Sequence, residues 1–318
     1  MKNQPLVLVL SNADDTELRM LDGIPHLRIN SRADITVAVK EAEVILHWAG
    51  PRDLLRDALL AHPGVRWVHS RAAGIDRILF PDLVESTVTL TNGSGVFSQS
   101  LGEFALAAIL YFAKDFRRML RNQEAGRWEP FDVEEIAGQT VGIVGYGDIG
   151  CAVASRARAM GMHVLALKRR APASSNPHVA QFYLPHELSA MLALSDFVVV
   201  AAPLTRETRH MISDAAFAAM KANAVVVNIG RGPVIDQAAL VRALVEGRIK
   251  GAGLDVFEQE PIPPGDPIYQ LKNVLISPHC ADHTKEWLNQ AMQFFLHQYE
   301  RFCNGQPLEN IVEKHLGY

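Results

Sequence analysis

The chain has 318 residues, 48% of them hydrophobic and 21% charged, with a formal net charge of −4, which fits a globular protein of two ordinary domains. That charge leaves no basic patch broad enough for nucleic acid, and no apolar run is long enough to span a membrane. Three cysteines, Cys151, Cys280 and Cys303, neither complete a disulfide framework nor show metal-ligand spacing, and without a leader pattern the expected location is the cytoplasm.

The first expected strands are residues 6–10, 44–47, 65–69 and 88–91, short apolar runs between turn signals. A helix is expected over residues 51–61, with Pro51 in its first turn. Short strands alternating with helices point to a parallel, doubly wound sheet. His47 and Trp48 close the second strand, and two readings of Trp48 stay open: a substrate contact or a core aromatic. From Ser98 a helical pattern runs to about residue 122, with Leu101, Phe104, Ala105, Ala108, Ile109 and Phe112 on one face. Such a helix would bridge two domains.

Residues 140–144 form the next expected strand, followed by Gly145-Tyr146-Gly147-Asp148-Ile149-Gly150 and a helix-favouring stretch from Ala152 to Met160. Strand, glycine turn and helix in this order mark a dinucleotide site. Gly145 permits the tight turn, Gly147 lets the pyrophosphate approach, and Gly150 lets helix and strand pack closely. The helix N-terminus at Asp148 and Ile149 offers N–H groups and a partial positive charge to the phosphates. At the end of the following strand, where an NAD site normally places an acidic residue, stand Lys168, Arg169 and Arg170. A carboxylate there would repel a 2′-phosphate, whereas guanidinium groups bind one. The cofactor expected is therefore NADP(H), with NAD(H) possible; a solvated basic turn is the plain alternative. Residues 171–177 read as a loop at the adenine end.

Six strands, 141–144, 164–167, 197–201, 225–228, 253–256 and 274–277, would complete the dinucleotide-binding domain. A last helix over residues 286–299 would return to the first domain. The expected division is residues 1–97 with 287–318, and residues 98–286.

Three polar groups stand at the carboxyl ends of late strands, where open α/β sheets bind ligands. Arg231 lies between two glycines that would let the backbone approach a ligand. Asp255 opens an acidic turn containing Glu258 and Glu260, and His279 follows Ser277-Pro278. Cys280 beside it is expected to be a small core residue.

Taken in order, the glycine turn, Pro203-Leu204-Thr205-Arg206-Glu207-Thr208, Asn228-Ile229-Gly230-Arg231-Gly232, the run from Leu254 to Pro261, and Ser277-Pro278-His279 resemble the D-isomer-specific 2-hydroxyacid dehydrogenase family. The likeness covers nearly the whole chain. Ala73-Gly74-Ile75-Asp76 resembles the family's substrate loop, and Leu101-Gly102-Glu103 its interdomain helix. The resemblance implies an α/β fold of two doubly wound parallel-sheet domains, a Rossmann domain and a flavodoxin-like substrate domain. It implies His279 as acid and base, Glu260 as its partner, and Arg231 with the backbone of Ala73 and Gly74 as holders of the substrate carboxylate. Glu260, just before Pro261, matches the family's carboxylate better than Glu258. Pro203, Thr208 and Ile229 would line the cofactor, and Asp255 would bind the nicotinamide amide. His283 would line the site or face solvent. A homodimer is implied, with residues 112–130 as a plausible interface, and the absence of an extension past residue 318 resembles the short members. The expected activity is reduction of a small 2-oxo acid such as glyoxylate or hydroxypyruvate, with substrate in an interdomain cleft. Alternatives are an NAD-dependent phosphoglycerate- or formate-type dehydrogenase, the extra cation Arg71 leaving room for a phosphorylated substrate, and a non-enzymatic NAD(P)-sensing corepressor-like protein.

Overall fold

The computed structural model describes residues 4–11, 14–35, 41–170 and 176–318. Residues 171–175, most of the expected adenine-end loop, lie outside them. The chain divides into two compact units, Met1–Phe97 with Thr284–Tyr318, and Ser98–His283.

In the first unit five strands, β1 (Leu6–Leu10), β2 (His26–Ile29), β3 (Ala42–His47), β4 (Trp67–Ser70) and β5 (Thr89–Asn92), form one parallel sheet in the order β2-β1-β3-β4-β5. This is the flavodoxin-like order. The inner strands are apolar on both faces because helices cover both. β2 was not expected from the sequence. It is an edge strand in which His26 and Arg28 alternate with Leu27 and Ile29, too short for the pattern to stand out. The helix Arg52–Ala61 begins one residue after Pro51, which is its N-cap and not part of its first turn. The C-terminal helix Trp287–Cys303 belongs to this unit. Its Phe295 stacks on Trp67 of β4 with ring centroids 5.5 Å apart, and the Tyr299 hydroxyl donates to the Pro5 carbonyl at 2.7 Å.

The second unit holds seven parallel strands: β6 (Thr140–Val144), β7 (His163–Leu167), β8 (Gln181–Tyr183), β9 (Phe197–Val200), β10 (Val225–Asn228), β11 (Gly251–Leu254) and β12 (Val274–Ile276). Their order is β12-β11-β10-β9-β6-β7-β8, a Rossmann arrangement whose direction reverses between β6 and β9. The seventh strand is β8, a three-residue edge strand that carries little sequence signal. β11 starts and ends two residues earlier than expected, so Asp255 and Val256 lie in the turn beyond it.

The long helix expected to reach residue 122 is two helices, Ser98–Ala113 and Phe116–Glu124. Asp115 breaks it by adopting a left-handed φ of 47°, and its carboxylate accepts the Arg118 N–H, capping the second helix. Aspartate tolerates that conformation better than most residues, and the apolar periodicity does not reveal it.

Candidate active site

The glycine turn joins β6 to the helix Asp148–Ala159 at the point where the strand order reverses. Gly145 has φ +98°, and a Cβ there would lie 2.6 Å from Ala202 Cα. A Cβ on Gly150 would lie 2.4 Å from the Gly145 carbonyl oxygen. Both glycines are therefore closed against protein backbone. Gly147 differs: nothing lies within 4 Å of its added Cβ. It is also the N-cap of the helix, without a side chain to satisfy the first-turn N–H groups. Two glycines closed against backbone in the turn and one facing open space, at an uncapped helix start, are what a pyrophosphate requires. The residues present thus fit a dinucleotide.

Lys168, Arg169 and Arg170 follow directly on β7, with Lys168 half-buried and both arginines exposed. The Lys168 ammonium lies over the Tyr146 ring at 5.9 Å from its centroid. On the far side of the reversal the Thr208 hydroxyl donates to the Pro203 carbonyl at 2.6 Å, and its oxygen accepts the Thr205 N–H at 2.8 Å. Pro203 and Thr208 are thus the two ends of one closed turn. Ile229, buried at the end of β10, donates its N–H to the Val200 carbonyl.

Arg231 emerges two residues later. The Asn228 side chain shapes its loop, accepting the Gly230 N–H at 3.1 Å and donating to the Arg231 carbonyl at 3.1 Å. The glycines flanking Arg231 are closed against protein backbone. Cβ atoms added to them would meet protein: Gly230 at 2.7 Å from the Ala202 oxygen, and Gly232 at 1.9 Å from the Phe257 carbonyl carbon. Their smallness presses the Arg231 loop onto its neighbours.

Glu260 is the second member. One carboxylate oxygen accepts the Phe257 N–H at 3.0 Å, and the other lies 2.8 Å from His279 Nδ1. An ionised carboxylate can only accept, so Nδ1 carries the proton and Nε2 is turned away from the pair. The Glu260 hydrogen bond raises the His279 pKa above the ordinary histidine value. Burial opposes it, as does the charge of Arg231, which is close enough to act. Glu258 goes elsewhere, to His210 at 2.8 Å.

Asp255 is buried, and one of its oxygens collects three donors: the Ser277 hydroxyl at 2.6 Å, the Cys280 N–H at 2.9 Å and the Ala281 N–H at 3.1 Å. Its backbone carbonyl accepts the His279 N–H at 2.9 Å. Asp255 therefore holds the turn in which His279 takes a left-handed φ of 54°. Nothing in the residue pattern beyond Asp255 itself signals this anchoring, nor the part of Ser277. Cys280, expected in the core, is exposed, because it follows His279 in that turn and not in the strand. His283 lies 3.7 Å from the Asp282 carboxylate. Burial pushes the Asp282 carboxyl above its ordinary range.

Four residues singled out by sequence belong to the first unit. Ala73 and Gly74 lie in the half-buried loop after β4, where the Asn92 amide donates to the Ala73 carbonyl at 2.6 Å. Trp48 is 2% exposed, a buried aromatic, and its indole N–H donates to Asp15 at 2.6 Å. The guanidinium of Arg71 lies 4.9 Å from the ring centroids of both Trp48 and Trp287, and 3.6 Å from Asp15.

Among the described residues no cluster of histidine, cysteine and carboxylate side chains could hold a metal ion, and no helix is long and apolar enough to cross a membrane.

Residues 106–281 match the D-isomer specific 2-hydroxyacid dehydrogenase, NAD binding domain. A glyoxylate reductase of Korarchaeum cryptofilum is 37% identical over 260 residues, 80% of this chain and 78% of the relative. The crystal structure of an NADPH-dependent glyoxylate/hydroxypyruvate reductase from Sinorhizobium meliloti, in complex with NADP and sulfate, superposes with a TM-score of 0.87 at 27% identity, covering 99% of this chain and 100% of that one. A D-isomer specific 2-hydroxyacid dehydrogenase from Xanthobacter autotrophicus, in complex with NADPH and MES, does so with a TM-score of 0.83 at 30% identity, covering 98% and 99%.

Proposed function

The chain belongs to the D-isomer-specific 2-hydroxyacid dehydrogenase family of oxidoreductases, and from that premise we propose that it reduces a small 2-oxo acid of the glyoxylate or hydroxypyruvate class, with NADP(H) preferred. The observation that carries the reading is the His279–Glu260 pair within electrostatic reach of Arg231.

Each residue has one task. The Arg231 guanidinium holds the substrate carboxylate and polarises the neighbouring carbonyl. Protonated His279 delivers a proton from Nε2 to the carbonyl oxygen as the alcohol forms. Glu260 keeps the proton on Nδ1, so that Nε2 is the nitrogen presented, and favours the imidazolium. In the oxidative direction the neutral ring accepts that proton back. The nicotinamide, when bound, supplies the hydride. We assign the backbone of Ala73 and Gly74 to the substrate carboxylate on the family resemblance, and Trp48 to the support of Arg71.

Preference for NADP(H) follows from Lys168, Arg169 and Arg170 at the end of β7, where guanidinium groups match a 2′-phosphate. Relatives crystallised with NADP and NADPH support it. A panel of 2-oxo acids assayed with both cofactors tests the whole reading. Turnover with glyoxylate or hydroxypyruvate, several-fold better kcat/KM with NADPH, and loss of that preference in Arg169→Ala are expected. No turnover with any 2-oxo acid would refute the activity, and equal losses for both cofactors in Arg169→Ala would reduce the cluster to a surface turn.

A further inference from the structure

His210 stands just past the turn closed by Pro203 and Thr208, with φ +53°. A non-glycine residue in that conformation is uncommon and clusters at functional sites. Its backbone N–H donates to the Pro233 carbonyl at 2.8 Å, in the turn that follows Arg231. Two residues on, Ile212 bridges to Ile235. The backbone of the cofactor turn is thereby tied to the Arg231 loop.

The side chain reaches a third loop. His210 Nε2 lies 2.8 Å from Glu258 Oε1, and because a carboxylate only accepts, the ring N–H donates. The same Glu258 oxygen accepts the Gln237 N–H at 3.3 Å, while the Glu258 N–H donates to Gln237 Oε1 at 3.2 Å. Gln237 opens the helix Gln237–Val245, which follows the Arg231 turn. Beneath these bonds Gly232 leaves no room for a Cβ, 1.9 Å from Phe257 and 2.5 Å from the Glu258 nitrogen. Phe257, adjacent to Glu258, is the residue whose N–H holds Glu260.

We propose that His210 and Glu258 are positioning residues: they clamp the Pro203–Thr208 turn, the Arg231 loop and the Glu260 turn into one body, and so keep Glu260 seated on His279. The pair is half-exposed, with His210 and Glu258 side chains 45% and 35% accessible, so its contribution to stability is small. Its effect is geometric. Three loops from three strand ends meet through two side chains, and Glu258 and Glu260 ride on a single turn in which the Phe257 N–H holds Glu260 and the Glu258 N–H donates to Gln237. His279 itself faces Glu260, Arg231, Asp255 and Asp282, none of which these substitutions alter.

The inference rests on the acid–base role proposed for His279, and the test separates the two. The variants are His210→Asn, which keeps a residue tolerant of positive φ but cannot reach Glu258, Glu258→Ala, the double variant, and Glu258→Gln, which retains an acceptor oxygen. The readouts are kcat and KM for glyoxylate with NADPH across pH, NADPH affinity by fluorescence, and NMR titration of the His279 ring, which needs no turnover. Each single variant should lower kcat roughly tenfold, about the scale of a slightly misplaced catalytic group. The His279 titration should move downward toward the ordinary histidine value. The double variant should be no worse than either single, as for residues acting as a unit, and Glu258→Gln should restore most of the rate. Additive losses, or an unmoved His279 titration in His210→Asn and Glu258→Ala, would overturn the proposal. Absence of turnover in the wild type would instead sink the reductase reading, leaving the titration to judge the clamp.

Discussion

At His279 the chemistry turns on which ring nitrogen carries the proton and how firmly. The Glu260 carboxylate at 2.8 Å raises the pKa of the ring. Reduction needs the protonated ring, so the rate should hold at low pH and fall as pH rises through that raised value. Glu260→Gln removes the charge that raises it, and the falling limb of kcat should then move to lower pH. A limb that stays in place would show that Glu260 does not tune the acid. His279→Ala should cut turnover by about 10²–10⁴, the usual worth of a positioned acid or base, while NADPH binding measured by fluorescence changes little. Two glutamates, Glu258 and Glu260, stand in the same short run of sequence. Their division of labour, one to His210 and one to His279, comes from a turn that sends their side chains to different neighbours.

Elements matter here mainly through their ends. β10, β11 and β12 lie side by side in the sheet, so Arg231, Asp255 and His279, each just past one of them, arrive at one edge. Parallel order makes this legible, because apolar runs mark the strands and the polar residue after each marks its end. Exact ends were less legible: β11 stops at Leu254, which frees Asp255 to anchor the His279 turn. Edge strands β2 and β8 escaped notice because they are short and half-polar. The contact between loops is equally hidden. Gly232 reads as a glycine beside an arginine, yet a methyl group there would sit 1.9 Å from Phe257. Gly232→Ala should therefore force the two catalytic loops apart, at a cost of about 1–3 kcal/mol of overpacking. A Tm lowered by several degrees together with reduced kcat is expected. Wild-type values for both would mean that the loops yield without consequence.

At the scale of the whole molecule, two units each carry their own parallel sheet and core. We propose that the chain forms a homodimer with residues 112–130 at its interface. The helix Phe116–Glu124 has no buried residue, and Phe116, Met119, Leu120 and Trp128 are exposed, Trp128 at 97%. Large apolar side chains grouped in this way mark association surfaces. Sedimentation of the wild type should give a dimer, and Leu120→Asp combined with Trp128→Ser should give a monomer. A monomeric wild type would refute the interface outright.

By itself the sequence determined the fold class and the dinucleotide turn, and it put forward Arg231 and His279 as candidate site residues, with Glu260 named on the family resemblance. These rest on local signals: apolar periodicity, glycines in a strand-turn-helix context, and polar residues at strand ends. Only the tertiary structure decided what holds those residues in place. Asp255 gathering three donors, Gly232 pressed on Phe257, and His210 reaching Glu258 join segments far apart in the chain. Such contacts depend on which loops the sheet brings together, and no periodicity or motif encodes the approach of two backbones before the strands have paired.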